Sequence, residues 1–175
     1  MLPTILTLVA ALLLGLFIFA PKAQLETSIQ IDAPATVVWE ILTDVEGHAG
    51  WNPFLISMSG ELREGASLTN IMRPSSGSEM TFRPVVLSVK PERELSWLGR
   101  LFLPRLFDGE HTFLLTPQDR GTLFTQKEAF RGIGLWLINV ERFRHDFEAM
   151  NRALKHRAEV EAASRLSTND EQSVP

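Results

Sequence analysis

Hydrophobic and polar residues follow three different patterns along the chain, and each pattern predicts a different kind of element. Residues 2–20 contain no charged side chain. The middle of the chain alternates apolar and polar residues, which is typical of strands. Toward the end, apolar residues recur at intervals of three or four, which is typical of one face of a helix.

The alternating region predicts about seven strands. The first covers residues 24–31, in which Leu25, Ile29 and Ile31 share one face. Pro84 lies inside the fourth strand and predicts a bulge or an edge position there, because proline cannot donate to the ladder. The other six predicted strands cover residues 54–62, 67–73, 79–89, 94–98, 110–116 and 122–130.

A short helical region separates the first two strands. Asp32 lies near its N-cap and Pro34 in its first turn. Apolar residues then recur at helical spacing from Val38 to Val45, so one face of this region packs on a core. Glycines end the region by Gly50.

The C-terminal pattern predicts one long helix over residues 135–162. One apolar stripe runs along it, formed by Trp136, Val140, Phe143, Phe147, Met150, Leu154 and Ala158. Residues 163–175 are polar and are predicted to be a disordered tail. A run of strands with helices segregated from it indicates an α+β domain with an antiparallel sheet, over residues 23–162.

The stretch from Ile31 to Phe54, IDAPATVVWEILTDVEGHAGWNPF, carries a resemblance to a known family. A helix pair wedged between the first two strands and closed by a tryptophan-proline turn resembles the START-like helix-grip superfamily (SRPBCC). Within it, the chain is most similar to the polyketide cyclase/dehydrase-type members. This resemblance implies a curved antiparallel sheet wrapped around the long C-terminal helix, with an apolar cavity between them. It does not identify what the cavity holds.

The uncharged N-terminal run is long enough to cross a membrane. Nineteen residues, from Leu2 to Ala20, would form a helix of roughly 28 Å, close to the thickness of a bilayer core. A cleaved secretory signal is the alternative, but no basic residue precedes the run and Pro21 makes a poor cleavage site. We therefore predict a single-pass anchor over residues 1–22. Lys22 follows the run and favours a cytoplasmic domain.

Composition excludes several classes of function. The formal net charge is −4, so the chain lacks the basic field that nucleic-acid binding requires. The absence of cysteine excludes disulfides, thiolate nucleophiles and cysteine-ligated metals. The four histidines are scattered without metal-binding spacing, and no glycine-rich phosphate loop is present, so the sequence indicates neither a metal nor a cofactor.

Two predicted strands place polar residues on an inward face. His111 shares a face with Phe113, and Gln126 and Glu128 share a face with Phe130. A histidine and a carboxylate in an apolar pocket are candidates for acid and base, so His111 and Glu128 are the candidate catalytic pair. The alternative is that they only pair with each other or meet solvent.

Aromatic residues give a stronger indication of binding. The predicted ligand-binding residues are those on inward faces or cavity-closing turns: Trp51, Phe54, Trp97, His111, Phe113, Gln126, Glu128, Phe130, Phe143 and Phe147. The apolar segment from Leu101 to Phe107 fits no strand pattern, and such loops cover a pocket entrance or touch a membrane.

Three functions remain compatible with the sequence. The first is a membrane-tethered module that binds a small apolar molecule such as a lipid, a quinone or a polyketide-like compound. The second is a cyclase or dehydratase that uses His111 and Glu128. The third is a structural or partner-binding role, which a collapsed cavity would favour. We favour the first, because it requires only the cavity and the aromatic residues, and we favour binding over catalysis.

Overall fold

The computed structural model describes residues 17–75, 77–101 and 103–172, together with residues 4, 5, 7 and 15. Within this part of the chain there are eight strands and two α-helices. Helix α1 is Ala35–Thr43 and helix α2 is Arg144–Gln172. The strands are β1 Lys22–Ile31, β2 Leu55–Ser59, β3 Thr69–Met72, β4 Met80–Phe82, β5 Val85–Lys90, β6 Glu94–Arg100, β7 Asp108–Gln118 and β8 Gly121–Arg131.

The strands form two antiparallel sheets. The larger sheet has the order β1-β8-β7-β6-β5, and the smaller has the order β2-β3-β4. The long strands β7 and β8 form a hairpin in which His111 lies opposite Glu128 and Phe113 lies opposite Gln126. This register places the two predicted inward faces side by side, as the alternation of the sequence predicted. The α+β class and the curved antiparallel sheet against a long C-terminal helix are therefore confirmed.

The strand count is eight rather than the predicted seven, because Pro84 divides the predicted strand 79–89. The chain leaves the smaller sheet before Pro84 and enters the larger sheet after it. Pro84 has no N–H to donate, but its carbonyl accepts a hydrogen bond of 2.9 Å from the backbone N–H of Leu68. A bridge between Ser67 and Val85 joins the two sheets at the same point. A proline without an N–H thus marks the corner between the sheets.

Helix α1 packs on the larger sheet through Val38 and Leu42, which are fully buried. The helix begins at Ala35, so Pro34 is its N-cap rather than part of its first turn; Asp32 lies near the N-cap as predicted, but no side chain caps the helix. Instead, the Asp32 backbone N–H donates to Glu159 of helix α2 at 2.9 Å. The N-terminal end of α1 is therefore held by helix α2 rather than by a local cap.

A short 3-10 helix, Gly47–Gly50, and the turn after it are organised around His48. His48 is fully buried; its Nε2 lies 2.9 Å from the Leu42 carbonyl oxygen and its Nδ1 lies 3.2 Å from the Asn52 amide nitrogen. The Asn52 side-chain oxygen accepts from the backbone N–H of both Phe54 and Leu55. Burial lowers the pKa of His48, although the Leu42 carbonyl and the Asp44 carboxylate oppose the shift.

The long C-terminal helix begins later than predicted. Two 3-10 helices, Ile133–Trp136 and Val140–Phe143, precede α2, and its α-helical part starts at Arg144. Trp136 is consequently exposed rather than part of the apolar stripe. The remaining stripe residues face the sheets; those that are buried are Val140, Phe147, Met150, Leu154 and Ala158.

Helix α2 also continues to Gln172, through most of the segment predicted as a disordered tail. Arg165 connects this last part to the body of the domain. Its guanidinium lies 2.7 Å from the Glu40 carboxylate of α1 and 3.0 Å from Glu161 on its own helix. Residues 173–175 lie outside the described part of the chain.

The predicted membrane anchor, residues 1–22, falls largely outside the described residues. Among the residues described, no helix is long and apolar enough to cross a membrane. The chain enters the domain at Pro21, whose carbonyl accepts a hydrogen bond of 3.2 Å from the backbone N–H of Gly132. This bond fixes the position at which the N-terminal segment meets the domain.

Candidate functional site

A cavity of about 200 Å³ lies between the two sheets and the first turns of helix α2. Its inner wall is formed by buried residues that include Trp97, Phe113 and Met150. The lining also includes Phe54, Leu55, Met72, Pro74, Met80, Phe82, Gly99, Arg100, Leu101, Phe107, Gly109, His111, Glu128, Phe130, Ile138 and Phe143. The cavity is therefore an apolar chamber with few polar groups on its wall.

The open end of the cavity can be identified from the exposure of its lining. Met80 and Arg100 are exposed, and Leu101 and Ile138 are partly exposed, whereas the residues at the opposite end are buried. We refer to these four residues as the mouth of the cavity. Arg100 extends outward and lies 4.0 Å from the Asp108 carboxylate, so its charge is partly balanced at the edge of the site.

His111 is the central polar residue of the inner wall. Its ring lies 4.5 Å from the ring of Phe113, 5.0 Å from that of Phe147 and 5.6 Å from that of Trp97, measured between ring centroids. The His111 residue is only 7% exposed. Three aromatic rings thus fix the plane of the imidazole and keep water from most of it.

The contact with Gln126 favours one tautomer of His111. The Gln126 amide nitrogen lies 3.0 Å from His111 Nε2, so the amide donates and Nε2 accepts. The proton of the neutral ring is then on Nδ1, which lies 3.3 Å from Glu128 Oε2. Gln126 is fully buried, whereas the Glu128 side chain is 18% exposed and lines the cavity. The arrangement presents one carboxylate, held by a histidine, to an otherwise apolar chamber.

Gly109 makes room for this carboxylate. It lies two residues before His111 on β7, and a Cβ atom at this position would collide with Glu128 Oε1. Gly99 lies directly opposite Gly109 on β6, and a Cβ there would make only ordinary contact with the Phe82 ring, at 3.6 Å. The missing side chain at Gly109 therefore leaves the space that the Glu128 carboxylate occupies.

The segment between β6 and β7 covers one side of the cavity, which is one of the two roles that its apolar composition predicted. Leu101 and Phe107 line the chamber. The carbonyl oxygens of Arg105 and Leu106 accept hydrogen bonds from Ile133 and Gly134, at 3.1 and 2.9 Å. Gly132 has a φ of 150°, and any side chain there would collide with the Leu106 carbonyl, so a glycine is required for this close approach.

The structure brings seven of the ten predicted binding residues to the cavity wall, namely Phe54, Trp97, His111, Phe113, Glu128, Phe130 and Phe143. Gln126 and Phe147 lie behind His111 and support it rather than line the chamber. Trp51 is placed elsewhere: the 3-10 helix before it turns its ring onto His48, at 4.9 Å between centroids. Whether the seven residues contact a ligand remains a prediction.

Several cavity residues were not predicted, and most belong to short or irregular elements. Met72, Met80 and Phe82 lie on the two short strands of the smaller sheet. Ile138 lies between the two 3-10 helices, in a region predicted as regular α-helix. Gly109 carried a usable signal, because a glycine inside a strand marks a close approach by another group.

Metal-binding groups are not clustered in the described part of the chain: no three His, Asp or Glu side chains converge there as a metal site would require. What the site offers chemically is an apolar chamber, a carboxylate at its wall and an imidazole nitrogen that lies 3.3 Å from that carboxylate. Such a site suits an apolar ligand with one polar group that can reach Glu128.

Comparison with known proteins agrees with this fold. The sequence profile of a family described as polyketide cyclase / dehydrase and lipid transport matches residues 22–159. No functionally curated protein matches the chain significantly. The family match over residues 22–159 therefore covers both sheets and the first part of helix α2.

Similar solved structures share the fold at low sequence identity. Protein NE0264 from Nitrosomonas europaea is 21% identical with a TM-score of 0.65, and the match covers 80% of this chain and 96% of that one. Ginseng major latex-like protein 151 from Panax ginseng is 10% identical with a TM-score of 0.67, covering 78% and 97%. The di-domain ARO/CYC StfQ from the steffimycin biosynthetic pathway is 14% identical with a TM-score of 0.63, covering 83% and 52%.

Proposed function

The chain belongs to the polyketide cyclase/dehydrase and lipid transport family, and we propose that it binds a small, largely apolar molecule in the cavity between its sheets and helix α2. A lipid, a quinone or a polyketide-like compound has the required chemistry. The observation that carries this proposal is the cavity itself, whose wall is aromatic and aliphatic except for His111, Glu128 and the outward-pointing Arg100.

The size of the cavity limits the ligand. An engineered cavity of about 150 Å³ binds benzene, so a volume of about 200 Å³ accommodates a single ring with substituents or a short acyl segment. A larger ligand would extend through the mouth. The volume is well above the few tens of Å³ expected of a collapsed cavity, which argues against a purely structural role.

Native mass spectrometry of the full-length protein, purified in detergent, tests this proposal. We expect a population with an added mass that is released by unfolding and that extracts into organic solvent. A protein that carries no added mass, and that gains none after incubation with membrane lipid extract, would contradict it.

We further propose that residues 1–22 anchor the protein in a membrane. The support is the uncharged run from Leu2 to Ala20 and Pro21 directly after it, which makes a poor cleavage site. The full-length protein should then fractionate with membranes and resist a carbonate wash. A mature N-terminus near residue 23, found by peptide sequencing, would instead establish cleavage and secretion.

The domain is proposed to lie in the cytoplasm, on the basis of Lys22 after the run. The chain contains no cysteine, so a single cysteine introduced at the exposed turn residue Asp119 can report its location. In intact cells this cysteine should be protected from a membrane-impermeant maleimide and should react after lysis. Labelling without lysis would place the domain on the outer side.

A second candidate function is catalysis of the cyclase or dehydratase type. It is favoured by the contact of 3.3 Å between His111 and Glu128 on the cavity wall, and by the ARO/CYC description of the neighbour StfQ. In this mechanism Glu128 removes a proton from the carbon beside a substrate carbonyl. His111 donates through Nδ1 to Glu128 and holds the carboxylate in place, while Gln126 fixes the imidazole.

A further inference from the structure

Three large apolar side chains are exposed at one end of the domain. Leu103 is 63% exposed, Trp136 is 55% exposed and Leu137 is 92% exposed. We refer to these three residues as the apolar rim. Surface leucines and tryptophans are ordinary when scattered, but a group of them at one place indicates an interaction surface.

The two segments that carry the rim lie side by side, because they are hydrogen-bonded to each other. Ile133 N–H donates to the Arg105 carbonyl at 3.1 Å, and Gly134 N–H donates to the Leu106 carbonyl at 2.9 Å. Leu103 lies at the start of the first segment, where its own N–H donates to the Leu101 carbonyl at 2.9 Å.

The rim also borders the mouth of the cavity. Leu101 lines the chamber, whereas Leu103 points to solvent; Ile138 lines the chamber, whereas Leu137 points to solvent. Each segment therefore has one side chain in the cavity and an exposed apolar side chain one or two residues away. A surface that covered the rim would also lie across the mouth.

The apolar N-terminal segment joins the domain at this same end. Pro21 accepts the hydrogen bond from Gly132, which directly precedes the 3-10 helix that ends at Trp136. Ile18 and Phe19, the last large apolar residues of the segment, are 52% and 80% exposed, whereas Ala20 after them is buried. The residue that follows the uncharged run is thus hydrogen-bonded to Gly132, four residues before Trp136.

We infer that the apolar rim docks on the surface of a lipid bilayer and thereby places the mouth of the cavity against the membrane. The inference rests on the proposed membrane anchor and goes beyond it, because an anchor alone leaves the orientation of the domain free. Trp136 suits this position, since tryptophan is enriched at the membrane–water interface. Exposed Arg105, within the first rim segment, adds a positive charge that complements anionic head groups.

Docking gives the cavity a direct route to its ligand. An apolar molecule that leaves the bilayer through the mouth would pass Leu101 and Ile138 without crossing bulk water. This arrangement removes the unfavourable hydration of the apolar ligand during transfer. The rim is therefore assigned to ligand exchange with the membrane rather than to contact with another protein.

Depth-dependent fluorescence quenching tests the inference on the full-length chain. Because the sequence has no cysteine, single cysteines at Leu103, Leu137 and Asp119 can each carry an environment-sensitive fluorophore. The proteins are reconstituted in phosphatidylcholine vesicles with and without lipids that carry a nitroxide near the head group. Asp119 is the control, because it is exposed at the far end of the β7–β8 hairpin.

We expect fluorophores at Leu103 and Leu137 to be quenched several-fold more strongly than the one at Asp119. Leu137→Asp should reduce the quenching at Leu103, whereas Val160→Asp should not, although Val160 is also an exposed apolar residue. Equal and weak quenching at all three positions would overturn the inference. A chain that does not stay with the vesicles would overturn both the docking and the anchor.

Ligand binding is measured separately, in detergent, so the two proposals fail independently. A bound mass without quenching at the rim would leave the cavity as a binding site and remove the docking surface. Quenching at the rim without a bound mass would retain the docking surface and remove the ligand.

Discussion

His111 and Glu128 lie directly opposite each other on strands β7 and β8, and the imidazole Nδ1 is 3.3 Å from the carboxylate Oε2. The imidazole is surrounded by aromatic rings, whereas the carboxylate lines the cavity and is partly exposed. The histidine is thus in a position to hold the carboxylate, and the carboxylate is in a position to meet a ligand.

Replacing either partner separates binding from catalysis. If the pair acts as base and positioning group, Glu128→Gln and His111→Ala should abolish turnover of an identified substrate and leave its affinity within about tenfold, roughly 1.4 kcal/mol. If the pair only recognises the polar group of a ligand, affinity should fall and no turnover should be found in the wild type. Titration calorimetry and a turnover assay on the same preparations distinguish these outcomes, and we expect the second.

Phe147 and Phe143 should respond differently to truncation. Phe147 is 1% exposed and packs between Phe54 and His111, so Phe147→Ala should cost about 3–5 kcal/mol of unfolding free energy. Phe143 borders the cavity and is only partly buried, so Phe143→Ala should cost less and should instead weaken ligand binding. Chemical denaturation of both variants provides the measurement.

If the two variants lose equal stability, the division between the core and the cavity wall is wrong. A loss below about 1.5 kcal/mol for Phe147→Ala, together with lost ligand binding, would make Phe147 a wall residue as the sequence predicted.

Gly109 tests the position of the carboxylate. A methyl group there would displace the end of the Glu128 side chain, so Gly109→Ala should weaken ligand binding while changing stability by less than about 1 kcal/mol. The matched control is Gly99→Ala, which lies opposite in the neighbouring strand and makes only ordinary contacts. Wild-type affinity in both variants would show that the location of the Glu128 carboxylate does not matter for binding.

His48 should make stability depend on pH below neutrality. Its folded-state pKa is lower than the value of 6.5 in the unfolded chain, so the unfolded state binds the proton first as the pH falls. The stability that neutral His48 contributes is fully present above about pH 6.5 and is lost as the pH falls from there toward the folded-state pKa. The loss amounts to about 1.4 kcal/mol for each unit by which the folded-state and unfolded-state pKa values differ. His48→Gln should flatten the slope in this window when unfolding is followed by urea titration. An unchanged slope would assign the pH dependence to other groups.

Much of the fold followed from local pattern. The alternation in β7 and β8 placed His111, Gln126 and Glu128 on inward faces, and the structure confirms those faces. The resemblance carried by residues 31–54 is confirmed at the level of the family and the helix-grip fold. These features depend on side-chain periodicity, which a sequence displays directly.

The features that were missed depend on contacts between distant residues. The cover over the cavity is held by hydrogen bonds between residues 105–106 and residues 133–134, which no local pattern encodes. The same contacts accompany the irregular turns before Arg144, where periodicity alone predicted a continuous helix. Trp51 was misplaced for a similar reason, because its direction is set by packing on buried His48.

If the cavity holds a small apolar molecule, filling the cavity with a larger side chain should exclude that molecule. Gly99 lines the chamber, so Gly99→Leu should occupy part of the volume of about 200 Å³, whereas Val160→Leu enlarges an exposed side chain elsewhere. Native mass spectrometry should find an added mass on the full-length wild type and on Val160→Leu, and little or none on Gly99→Leu. A melting temperature of Gly99→Leu equal to that of the wild type is the control for folding. An added mass retained undiminished by Gly99→Leu would contradict the claim, as would a wild type that carries none and takes none up from lipid extract.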